Sequence, residues 1–118
     1  MSHTIQRHHT SARMSKIARF GDLIFLCGQT SSGTPFADVA SQTREVLGRI
    51  DALLAEVGSQ RSRILSATIH LKSMADFAAM NASWESWLAG AAAPARTTVQ
   101  AKLASDSLLV EITIIAAA

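Results

Sequence analysis

A strict alternation runs from Leu65 to Lys72: Leu65, Ala67, Ile69 and Leu71 are apolar, while Ser66, Thr68, His70 and Lys72 are polar. Successive side chains of a strand point to opposite faces, so this stretch reads as a strand with one dry and one wet side. The dry side needs a cover, and segments on either side supply one. Upstream, Val39, Val46, Ile50, Leu53 and Val57, with Leu47 and Leu54 beside them, recur at threes and fours, while Asp38, Gln42, Glu45, Arg49 and Glu56 fall mainly outside that stripe. This spacing predicts an amphipathic helix over about residues 35–57, with Thr34 as N-cap, Pro35 in the first turn and Gly58 as a left-handed stop. Downstream, Ser73 and Asp76 resemble a capping box for a second helix with the stripe Phe77, Met80, Trp84, Trp87 and Leu88, which Gly90 can end.

The remaining segments read as strands. Met14 to Ala18 and Leu23 to Cys27 flank the turn Arg19-Phe20-Gly21-Asp22, a hairpin, and residues 28–33 then break regular structure. Pro94 has no N–H for a ladder and biases Ala93 away from helix, so a new strand starts there, carried by the β-branched Thr97, Thr98 and Val99. Ala104 to Ser107 turns the chain into a last strand, Leu108 to Ala116. The order ββαβαββ is an α+β arrangement, two helices on one face of an antiparallel or mixed sheet. Helices cover one sheet face only, so the other, carrying His70 and Glu111, is the expected assembly surface.

A length of 118 residues suits a single domain, 1–118. With 48% hydrophobic and 17% charged residues, a monomer would expose large apolar patches, which points to a homo-oligomer. No apolar run is long enough to span a membrane. Arg7, Arg13, Lys16 and Arg19 give residues 1–21 a local excess of positive charge, with residues 1–12 expected as a flexible basic arm. Phe20 is the one aromatic residue among these charges and the chain has no tyrosine, so stacking platforms for nucleic acid are lacking. Cys27 is the single cysteine, which excludes an intrachain disulfide and a multi-cysteine metal site. No carboxylate neighbours His8-His9 in the sequence to complete a metal site, and the N-terminus has no apolar core of a secretory signal, so the expected location is the cytoplasm.

Several residues are candidates for chemistry. Arg96, at the mouth of the Pro94 strand, carries a planar fork suited to a carboxylate or phosphate. Glu111 is an acid in an otherwise apolar strand and needs a partner or a job. Asn81 falls on the apolar face of the second helix, where it requires buried partners or a ligand. Cys27 reads as a small buried residue, since no histidine can be placed beside it as an activating base, and His70 reads as an interface histidine.

Four landmarks, Leu26-Cys27-Gly28-Gln29, Asp76 to Asn81, Pro94 to Val99 and Val110-Glu111-Ile112, resemble the RidA (YjgF) family of imine-deaminase-like proteins in order and spacing. Trp84, Trp87 and Val99-Gln100-Ala101 are similar to its YoaB-like branch. The resemblance implies a chorismate-mutase-like fold and a homotrimer whose sheets form a central barrel, with helices outside and three clefts between subunits. It implies that Arg96 holds the carboxylate of a 2-imino or 2-enamino acid, that Glu111 places a water, and that Gly28 and the backbone around Thr98 shape the pocket, which Cys27 and Asn81 adjoin. The implied reaction yields a 2-oxo acid and ammonia, with no cofactor. The archetype has a tyrosine near the position of Met14, a serine at Cys27 and a cysteine at Thr98. A second reading keeps the trimer and the Arg96 pocket but binds small carboxylates such as 2-oxo acids without turnover.

Overall fold

The computed structural model describes residues 4–118. Strands β1 (Gln6–Thr10), β2 (Ser15–Phe20) and β3 (Leu23–Leu26) precede helix α1 (Val39–Glu56), strand β4 (Ile64–Leu71), helix α2 (Phe77–Leu88), and strands β5 (Ala95–Gln100) and β6 (Val110–Ala117). The six strands form one mixed sheet in the order β1-β2-β3-β6-β4-β5. β4 lies antiparallel to β6 and parallel to β5. The last two strands therefore flank β4 instead of pairing with each other.

The α+β architecture agrees with the sequence reading, with two helices packed on one sheet face. Ile17, Ile24, Ala67, Ile69, Leu71, Val110, Ile112 and Ile114 from the sheet meet Val46, Leu47, Ile50, Leu54, Met80 and Trp84 from the helices in one buried core. The shortest molecular dimension, 21 Å, fits one sheet and one helix layer. The other sheet face is open.

Some boundaries differ for local reasons. The first helix begins at Val39, because the Asp38 carboxylate accepts from the Ser41 backbone N–H at 2.9 Å and caps the helix there in place of Thr34. Gly58, at φ +75°, ends it as expected. The second helix stops at Leu88, with Ala89 already left-handed before Gly90. In β4 a register shift between Ile64 and Ser66 puts Ile64 in the core and leaves Leu65 47% exposed, contrary to simple alternation.

Within the arm expected over residues 1–12 lies a strand. Gln6–Thr10 pairs antiparallel with β2, extending the sheet by one edge strand. His9 takes φ +56° and its Nε2 lies 2.7 Å from Glu56 Oε1 on α1, a contact between residues 47 apart that tethers the strand. Residues 1–3 of that arm lie outside the described residues.

Candidate active site

β5 is the edge strand beside β4, and Pro94 at its entry fixes where it begins. Register pairs Arg96 with Ala67 and Thr98 with Ile69, so both face the helix-covered side. There the Arg96 guanidinium carbon stands 5.9 Å from the Phe77 ring centroid and 5.6 Å from that of Trp84. Asn81 lies between these two aromatics on the same stripe of α2, since positions i, i+4 and i+7 share a helix face. Among the described residues the Arg96 guanidinium has no hydrogen-bond or ion-pair partner. The Asn81 Oδ1 and Thr98 Oγ1 atoms are buried without partners, so the buried bonding expected for Asn81 is not supplied by the described residues. The result is a cation held against two π faces, with its in-plane donors uncommitted.

Glu111 and Gly28 form a second cluster on the open face. Glu111 lies directly opposite His70 across the β4–β6 ladder, and its neighbours Val110 and Ile112 point into the core. Its carboxylate rests on Gly28: a Cβ there would lie 2.8 Å from Glu111 Oε2 and 2.9 Å from Cδ. Only a residue without a side chain leaves the carboxylate where it is. Cys27 adjoins this cluster; its sulfur accepts from Gln29 Nε2 at 3.2 Å, and burial pushes its thiol above the ordinary value of 9.0. A half-buried thiol kept protonated is a poor nucleophile, in keeping with its reading as a small packing residue.

The sequence-derived candidates thus fall into two groups. Arg96, Thr98 and Asn81 meet at the α2–β5 edge, while Glu111, Gly28 and Cys27 gather on the open face. One chain does not bring Arg96 and Glu111 together. Two concavities of the chain also lack both residues: a groove of about 540 Å³ between the helices, walled by Leu47, Ala82 and Trp87, and a pocket of about 350 Å³ between the 31–37 and 105–109 loops. Among the described residues no group of three His, Cys, Asp or Glu is placed to hold a metal ion, and no helix is long and apolar enough to cross a membrane.

Sequence reasoning missed the contact of Phe77 and Trp84 with Arg96. Their helical spacing marked them as a packing stripe, but nothing in that spacing says which strand the stripe will face.

Residues 4–118 match the family model described as endoribonuclease L-PSP. The chain is 45% identical over 113 residues to a RutC family protein of Haemophilus influenzae, covering 96% of this chain and 97% of that protein. It is 41% identical over 114 residues to the RutC family protein YoaB of Escherichia coli, covering 97% and 98% respectively. A crystal structure of a YjgF family member from Neisseria meningitidis superposes with a TM-score of 0.92 at 39% identity, covering 97% of this chain and 94% of that one.

Proposed function

The chain belongs to the endoribonuclease L-PSP (YjgF/RidA) family, and from that premise we propose that it hydrolyses reactive 2-imino or 2-enamino acids to 2-oxo acids and ammonia. The observation that carries this reading is the uncommitted Arg96 guanidinium between Phe77 and Trp84. A planar fork binds an α-carboxylate bidentately and so fixes the adjacent C2. The Glu111 carboxylate, equally without a hydrogen-bonding partner among the described residues, is the acid/base group.

The two groups occupy opposite sheet faces, so the working site is a cleft between copies in a homotrimer, with Arg96 from one subunit and Glu111 with Gly28 from the next. An enamine first tautomerises to the imine, gaining a proton at C3 and losing one from nitrogen. Glu111 then accepts a proton from water as the oxygen adds to C2 and passes it to the nitrogen, giving the neutral carbinolamine. As the C–N bond breaks, the hydroxyl proton is transferred to the amino nitrogen, so that ammonia departs and the C=O of the 2-oxo acid forms. Free imines already hydrolyse readily, so positioning and one acid/base group suffice.

The test generates 2-iminopropanoate with an amino-acid oxidase and follows its decay. Wild type should accelerate it, and Arg96→Ala should not. No acceleration over a range of imino acids overturns hydrolysis. The second reading, binding of small carboxylates without turnover, is favoured by Met14: it stands near the archetype's tyrosine, is 48% exposed and offers no phenolic donor.

A further inference from the structure

Arg96 is the end of a longer stack. Its guanidinium carbon lies 5.6 Å from the Trp84 ring centroid, and Trp84 packs on Trp87 at 5.3 Å with the planes tilted by 48°. The Arg61 guanidinium carbon in turn sits 5.0 Å from the Trp87 ring centroid. This outer end is tied down. Asp51 Oδ2 accepts from Trp87 Nε1 at 2.9 Å and from Arg61 Nη2 at 2.8 Å, and Arg61 Nη1 donates to the Trp87 carbonyl oxygen.

The two arginines are held differently. Arg61 has a carboxylate partner, so much of its charge is satisfied within the chain. The Arg96 guanidinium is stacked on rings and has no ion-pair or hydrogen-bond partner among the described residues. Aromatic faces attract a cation through their quadrupole but take no in-plane hydrogen bond, so they orient a guanidinium without consuming its donors. A carboxylate in their place would orient it equally well and then compete with any anionic ligand.

We propose that Trp84 and Phe77 are positioning residues for Arg96, holding its fork free and aimed for a ligand carboxylate, and that the Asp51–Trp87–Arg61 cluster buttresses Trp84 from behind. This rests on Arg96 being the carboxylate anchor. The rings act through the arginine and touch no reacting atom. Phe77 is 38% exposed and forms the outer wall, whereas Trp84, 3% exposed, forms the inner one.

The test is calorimetric titration of pyruvate into wild type, Trp84→Leu, Trp84→Phe and Phe77→Leu, each checked for a cooperative melt. Trp84→Leu should weaken binding by roughly tenfold, Phe77→Leu by a smaller factor, and Trp84→Phe should restore most of the affinity because it restores a π face. The tolerant, half-exposed Phe77→Leu keeps the test decisive if Trp84→Leu does not fold. A second readout uses Trp87→Phe, which leaves Trp84 as the sole tryptophan: pyruvate should shift its fluorescence, and the shift should vanish when Arg96→Ala is added. Wild-type binding with unchanged affinity in the folded ring variants overturns the positioning role and leaves the anchor standing. Absence of pyruvate binding to wild type overturns the anchor, and the positioning role with it.

Discussion

At the scale of single residues, the contrast between Arg96 and Glu111 is one of face. Arg96→Lys keeps a charge but loses the planar fork, so binding of 2-oxobutanoate should weaken by about 1–3 kcal/mol in calorimetry, and Arg96→Ala should do worse. Glu111→Gln should slow imine decay by roughly a hundredfold while leaving the melting temperature unchanged, since no hydrogen bond to the carboxylate is lost. Gly28→Ala should mimic it: a Cβ 2.8 Å from Oε2 displaces the flexible end of Glu111 without a large stability cost. Cys27 has a raised thiol pKa, with desolvation as the main cause and the nearby Lys16 opposing it. Its alkylation rate by iodoacetamide should therefore rise with a midpoint above 9.0, later than that of the unfolded chain.

Among elements, α1 shows how one capping group fixes a boundary. The Asp38 carboxyl is held below its ordinary value of 3.8, chiefly because the Ser41 N–H donates to it. A carboxyl with a lowered folded-state pKa stabilises fully above its unfolded pKa and loses that contribution as pH falls through the folded value. The melting-temperature deficit of Asp38→Ala should thus be fully present above the carboxyl's ordinary value of 3.8 and shrink as the pH falls below it, while Asp38→Asn should retain most of the cap. Met80, fully buried on α2, is a packing residue, and Met80→Ala should cost about 2–5 kcal/mol in denaturant titration.

For the whole molecule, the open sheet face decides what the chain has to do next. Phe25 (39% exposed) and Leu23 (41% exposed) share that face with Ile115, which register pairs with Phe25. Under the proposed function this apolar face is the one that three copies cover, bringing an Arg96 edge beside a Glu111 face. Sedimentation should give the mass of three chains. Phe25→Asp should lower that mass and, because it separates Arg96 from Glu111, abolish imine hydrolysis together with assembly.

The sequence by itself determined the two helical stripes, the alternating β4 and the strand that starts after Pro94, because burial periodicity and the missing proline N–H are local properties of the chain. It also marked Arg96 and Glu111 as residues without an evident local reason to be there. It could not place them on opposite faces, since that follows from β5 and β6 flanking β4, and strand order depends on pairings between segments distant in sequence. The β1 strand escaped notice for a related reason: its side chains are exposed, so it carries no hydrophobic signal and is held by ladder bonds to β2 and by the contact from His9 to Glu56. Likewise Phe77 and Trp84 were legible as a stripe, but only packing of α2 across the β4–β5 edge turned a half-exposed and a buried ring of that stripe into the seat of a cation.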